Sequence, residues 1–312
     1  AAAARLARLA DATDADGRPL APDADPARWW GLLAPTSLTS PPRGEVVRLS
    51  PSQLEGVLTC PRRYFLKREV KAEPPRSSTT ILGSVIHAVA ERAASGELTH
   101  ATASELLDAV WADIPFPAAW LSASERAEAD AAVERFVAWQ SGHEHADVVG
   151  VEVPFEAAIE VDGEVVVLAG SVDRLERTPT GDLRVVDFKT GRSLPTQAEA
   201  AASAQLGVYQ LAIEAGGFEQ HAPGAHSAGA SLVYLRHDAT PGWPKDYRQH
   251  SLAEKPHLSD DPDELAHPTW VHHQVAQARR VLAEGSFDAR PGGHCQWCPV
   301  RSSCPARSGQ VV

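Results

Sequence analysis

The run Val185-Val186-Asp187-Phe188-Lys189-Thr190-Gly191 ends an apolar stretch on a carboxylate and an ammonium. On a strand, residues two apart share a face, so Asp187 and Lys189 project together while Phe188 points into the core. Fourteen residues earlier, Gly170-Ser171-Val172-Asp173 falls on the preceding β-rich run. A hairpin closing at 180–182 brings Asp173 beside Asp187 on the neighbouring antiparallel strand. Two carboxylates with one ammonium make a hard-oxygen site for Mg²⁺ or Mn²⁺. Lys189 is then placed to orient or deprotonate a metal-bound water. The plain alternative is a solvated Asp-x-Lys surface pair. The apolar strand, the Thr-Gly that follows and the second acid across the hairpin favour the site.

The four cysteines form a second constellation. Cys295-x2-Cys298-x5-Cys304 lies in a short, turn-rich tail, and Cys60 stands far away near the other end. Disulfides suit an oxidising compartment, and nothing in the chain marks secretion. Four thiolates also suit a closed zinc site, although zinc ribbons pair two C-x2-C knuckles. Iron–sulfur clusters accept asymmetric cysteine sets of this kind. Next to Cys60, Arg62, Arg63, Tyr64 and Lys67 interleave charge with an aromatic ring, a pattern that suits a nucleic-acid single strand. A solvated helix face with its aromatics packed inward is the alternative.

Several elements must position these groups. Residues 1–12 suit a short helix, and 13–44 read as a linker or extended N-terminal segment around Trp29 and Trp30. Ser50-Pro51-Ser52-Gln53 carries an N-cap, a first-turn proline and a capping-box Gln, predicting a helix from there towards Arg68. Helices are also predicted over 81–95 and 122–140. From 148 the period changes to two. Three β-rich runs, separated by Asp162-Gly163 and Thr180-Gly181-Asp182, predict an antiparallel meander. A helix at about 197–215, a strand at 229–236, a poorly patterned 238–262 and a helix at about 264–284 complete a mixed α/β order.

Composition limits the function classes. Of 312 residues, 43% are hydrophobic and 22% charged, so the chain is neither a disordered polymer nor a spanning membrane protein. Lys+Arg 29 against Asp+Glu 41 gives −12, the wrong sign for a protein that grips DNA by charge alone. No Walker A sequence is present, so an ATP-driven motor is not expected within this stretch. The chain has no methionine, which suggests a piece of a longer product.

These residues carry a resemblance. G-S-V-D and V-V-D-F-K-T-G resemble the core of the RecB-type branch of PD-(D/E)xK nucleases. Gly83, His87 and Glu91 match its G-x-x-x-H-x-x-x-E helix, Gln205 and Tyr209 its Q-x-x-x-Y helix, and the cysteines the iron–sulfur motif of AddB-like members. The match spans roughly residues 47–306 with the motifs in family order.

The resemblance implies a restriction-endonuclease-like domain over 45–312, with a central mixed sheet flanked by helices. His87, Asp173, Asp187 and the backbone carbonyl of Phe188 would hold Mg²⁺ or Mn²⁺. Lys189 would be the catalytic lysine, assisted by Gln205 and Tyr209. Glu156, on the first strand of the meander, is a weaker candidate. Cys60, Cys295, Cys298 and Cys304 would ligate a [4Fe–4S] cluster that staples the domain.

The implied activity is a deoxyribonuclease, an exonuclease on DNA strands that leaves 5′-phosphate and 3′-hydroxyl ends. The resemblance extends to the C-terminal nuclease domain of an actinobacterial AdnAB-type helicase–nuclease subunit. That implies a bacterial cytoplasmic heterodimer in which helicase motor domains deliver a single strand during double-strand-break resection. A free-standing RecB-like exonuclease and a catalytically silent DNA-binding or scaffold module are the competing expectations.

Overall fold

The computed structural model describes residues 2–26, 46–72, 89, 100–111, 114, 116–142, 147–301 and 304–307. The chain divides into two compact units, Ala1–Arg43 and Gly44–Val312. The first holds helix α1 (Ala2–Ala10) and a turn organised by Asp14, whose Oδ1 accepts from Asp16 and Arg18 N–H, both at 2.9 Å.

The second unit is built on a mixed sheet of six described strands: β1 (Val47–Leu49), β2 (Asp147–Val161), β3 (Glu164–Arg177), β4 (Leu183–Lys189), β5 (Ser227–Thr240) and β6 (Trp243–Gln249). The order is β1-β3-β4-β5-β6, with β2 also paired to β3. The predicted meander is β2-β3-β4, both pairs antiparallel. Its first turn is the two-residue Asp162-Gly163 loop, with φ of 53° and 74°, the left-handed values that the twist of a tight hairpin demands. β5 then joins β4 in parallel and β6 closes the edge antiparallel.

Burial along β4 shows both faces of the sheet covered. Leu183 and Val185 belong to one core cluster, with α2 (Pro51–Thr59), α7 (Ala204–Glu214) and α9 (Trp270–Glu284). Val186 and Phe188 belong to another, against α5 (Ala119–Gly142) through Ala129, Ala132, Val133, Phe136 and Trp139, a stripe at helical spacing. The remaining described helices are α3 (Pro61–Arg68), α4 (His100–Trp111), α6 (Gln197–Ala201) and α8 (Pro262–Leu265).

Four expectations are corrected. The single helix predicted from Ser50 to Arg68 is two, α2 and α3. They break at Cys60 (φ −160°, ψ 103°) because Pro61 disfavours helical backbone in the residue before it. The helix at 197–215 is also two, since Ser203 is extended and caps α7 by accepting from Leu206 N–H. Likewise α8 and α9 are separated around Pro268, and Thr269 caps the second by accepting from His272 N–H. The poorly patterned 238–262 hides β6. As an edge strand it tolerates Pro244 and polar outward residues, which erase the alternation. The helix predicted over 81–95, with Gly83, His87 and Glu91, lies outside the described residues except for Val89, which is buried in the α5 cluster.

Candidate active site

The site forms where β3 and β4 stop pairing. Their register ends at Arg174↔Val186, and Asp173 and Asp187 are the next residues on each strand. Phe188 N–H, left without a β3 carbonyl, donates instead to Asp173 Oδ2 at 2.7 Å. The same residue anchors β4 on the other face, where the Phe188 ring meets Phe136 and Trp139 edge-on at centroid distances of 5.2 and 5.3 Å. Phe188 thereby fixes the strand between its two functional neighbours, Asp187 and Lys189.

Those neighbours point towards α7. Lys189 Nζ lies 2.7 Å from Asp187 Oδ2 and donates to Gln205 Oε1 at 2.7 Å. Gln205 Nε2 donates to Asp187 Oδ1 at 2.7 Å and to Tyr209 OH at 2.9 Å, and that hydroxyl donates to Asp187 Oδ1 at 3.3 Å. Gln205 thus uses both ends of its amide to hold carboxylate and ammonium in register. One turn separates Gln205 from Tyr209, so both reach the same carboxylate. The helix can approach because residue 207 is glycine: a Cβ there would sit 2.6 Å from the Trp270 ring and 2.7 Å from Val271 of α9.

Electrostatics sort the groups. Burial would lower the Lys189 pKa, but the charge and hydrogen bond of Asp187, with Asp173 beyond, outweigh it and raise the value. Lys189 is therefore held as an ammonium. It can orient a water and offset negative charge, and it does not serve as a base in this state. Burial, reinforced by the Asp187 charge, pushes the Asp173 carboxyl up to about 8 against the opposing pull of Phe188 N–H and Lys189. Burial and Asp187 also raise Tyr209, so its phenol stays neutral.

This donor set fits a hard divalent cation. Asp187 is 2% exposed, and its Oδ2 faces the Lys189 ammonium at 2.7 Å with no other partner among the described residues. Asp173 is forced towards the neutral acid by burial and by its partner's charge, a penalty that a cation between the two carboxylates relieves. Mg²⁺ needs only one or two carboxylates, with water and carbonyl oxygens completing its shell. Among the described residues no group of three or more His, Cys, Asp or Glu side chains is arranged to hold a metal. The proposed third ligand, His87, is outside the described residues.

Glu156 does not join the site. It faces Ala169 in the β2–β3 register and pairs with Arg48 at 2.7 Å on the surface. The four cysteines line one cavity of about 410 Å³ together with Arg62, Arg63, Arg290 and His294, although among the described residues they are not arranged as a metal-holding group. All four are free thiols, and Gly292 N–H donates to Cys295 Sγ at 3.4 Å. In α3 the aromatic rings are engaged in packing: Phe65 stacks on Phe287 at 4.7 Å and Tyr64 at 6.5 Å. Arg63, Tyr64 and Lys67 line a separate cleft of about 420 Å³.

Nothing in the residue pattern marks several groups that the fold brings to the site. Glu55 of α2 and Tyr234 of β5 share a groove with Lys189 and Gln205. Glu152, in left-handed backbone (φ 45°), adds its charge to the forces raising Asp173. The β5 register, Asp187↔Leu232 and Lys189↔Tyr234, accounts for Tyr234, but it exists only once the parallel pairing is known. Behind the sheet, buried Glu125 pairs with Arg236 at 2.7 Å and with Arg192, tying the loop after Lys189 to α5.

No curated protein sequence matches the chain. A solved crystal structure, that of SSO0001, is similar at a TM-score of 0.41 and 17% identity, covering 86% of this chain and 90% of that one. A family model described as the PD-(D/E)XK nuclease superfamily matches residues 48–305, a span that contains the two acids, the lysine and the helix that holds them. With that match over most of the chain, the protein belongs to the PD-(D/E)XK nuclease superfamily.

Proposed function

We propose that the chain is a metal-dependent deoxyribonuclease that hydrolyses phosphodiesters in a DNA strand. The observation that carries this reading is the acid–lysine pair on β4, locked by Gln205 and faced by Asp173 at the parting of β3 and β4. Asp173, Asp187 and the Phe188 carbonyl, with His87, would hold Mg²⁺ or Mn²⁺. Such an ion supplies Lewis-acid stabilisation of the phosphate and a more acidic water. Lys189, fixed as an ammonium, orients the attacking water and offsets charge on the phosphate oxygens as it builds. Water adds to phosphorus and the bond to O3′ breaks, leaving a 5′-phosphate and a 3′-hydroxyl.

The four cysteines around one cavity support a [4Fe–4S] cluster joining the α2–α3 break to the tail. Soft thiolates suit both iron–sulfur and zinc, and the asymmetric spacing of the set is what favours the cluster. Arg62, Arg63 and Lys67 then serve as phosphate contacts, while the packing of Tyr64 argues against its stacking on bases. A net charge of −12 supports delivery of the strand by helicase motor domains of the same or a partner chain, in recombinational repair of DNA ends in the bacterial cytoplasm.

Single-stranded DNA incubated with the protein tests the reading. Cleavage with Mg²⁺, none with a chelator and none by Asp187→Ala are expected. Equal cleavage by Asp187→Ala would refute it.

A further inference from the structure

Next to Lys189 a groove of about 600 Å³ opens at the end of β4 and beside the middle of β5, a volume within the range of about 300–1,000 Å³ typical of small-molecule sites. Its charged lining is unsuited to a phosphate. Glu55 and Glu199 contribute two carboxylates, and the one ammonium, Lys189, is already engaged by Asp187 and Gln205. Leu232 and Tyr234, the register partners of Asp187 and Lys189, contribute an aliphatic and an aromatic side chain to its lining. Tyr234 is braced edge-on by Tyr247 at 5.8 Å, so its ring is held in place. Gln274 of α9 lines the same groove, and its Oε1 is buried without a hydrogen-bond partner among the described residues. An unpaired buried acceptor is costly, and a ligand that brings a donor relieves that cost.

We propose that this groove is a base pocket, taking the nucleobase beside the scissile phosphodiester, with Gln274 Oε1 accepting from the base and Tyr234 flanking its ring. The groove's two carboxylates repel phosphate, its lining carries the Tyr234 ring, and Gln274 Oε1 lacks a donor among the described residues; a nucleobase on a single strand answers all three. The sugar–phosphate backbone then runs over the acid–lysine pair while the base turns into the groove. The inference rests on the nuclease reading, and it adds that the enzyme reads the presence of a base and not the backbone alone.

The test compares single-stranded oligonucleotides of dA or dC with one of abasic spacers, using the full chain with Mg²⁺ and, separately, binding by fluorescence anisotropy in chelator. The expected kcat/KM is about ten-fold higher for base-bearing strands, equivalent to about 1.4 kcal/mol. Gln274→Leu brings that ratio below about three-fold, and Gln274→Glu, which keeps an acceptor, restores it. A merely structural loss lowers both strands in proportion and leaves the ratio intact, which overturns the proposal. So do equal rates on both strands, or a Gln274→Leu effect confined to Mg²⁺ dependence, the mark of a hydrated cation in the groove. If the wild type cuts nothing, the nuclease reading fails; anisotropy without a base preference then overturns the pocket as well, and a retained preference supports it.

Discussion

The two constellations of chemical side chains are built in opposite ways. At the end of β4 the groups satisfy one another: Gln205 bridges Lys189 and Asp187, and Asp173 takes the Phe188 N–H. At the tail, four free cysteines surround a cavity, and short turns such as Cys298 N–H to Cys295 O are the local order. The first is preorganised by the fold and works by being already in place. The second is proposed to gain its order from a bound cluster, in which case binding there is worth folding energy. Losses at the first should appear in rate with the fold intact, and losses at the second in stability.

The largest expected effect tests the tail. Cys298→Ser should strip iron from protein purified without oxygen and lower the melting temperature by about 10 °C. This corresponds to about 4 kcal/mol for a ligand at 1,000 times its Kd, at 2–4 °C per kcal/mol. An unchanged melt with full iron would erase the contrast. Next, Gln205→Leu should lower the cleavage rate about 10- to 100-fold, the scale of one charged hydrogen bond at about 1.5–3 kcal/mol, because Lys189 and Asp187 keep each other as partners. Its melting temperature should move far less than that of Cys298→Ser.

The Asp173 carboxyl provides a pH signature. Its folded value, about 8, lies above the ordinary 3.8. The folded protein therefore keeps a proton that the unfolded chain has released, and stability from this group falls as pH rises from about 4 to about 8. In chelator, Asp173→Asn should raise the melting temperature by a few degrees at pH 8.5 and by less at pH 5. An equal gain at both would show that the carboxyl is not strained. The smallest effect is expected for Tyr209→Phe, which removes one 3.3 Å hydrogen bond to a carboxylate that keeps its Gln205 contact. A loss of less than ten-fold in rate is predicted.

Local signals were legible wherever chemistry and period coincide. Asp162-Gly163 marked its hairpin, the alternation of β4 put Asp187 and Lys189 on one face, and the spacing of Gln205 and Tyr209 put them on one helical turn. Boundaries were lost where a single residue outvotes a periodic stretch, as Pro61 does at Cys60 and Ser203 does before α7. The edge strand β6 was hidden by its own solvation. Glu55, Tyr234 and Gln274 were invisible for another reason: each is an ordinary helix or strand residue until non-local pairing sets it in the groove beside Lys189. Glu156, an acid at a plausible place in the meander, proved four residues from Asp173's partner in register and is spent on Arg48.

The central claim is that Lys189, held as an ammonium against Asp187 and Gln205, serves hydrolysis of DNA. The most direct measurement is the Mg²⁺-dependent cleavage rate of a labelled single strand by wild type and by Lys189→Ala, with both proteins shown to melt alike. A loss of about 10²- to 10³-fold in the variant is predicted, the scale expected when a preorganised charge stabiliser is removed. Equal rates in the two proteins would contradict the account.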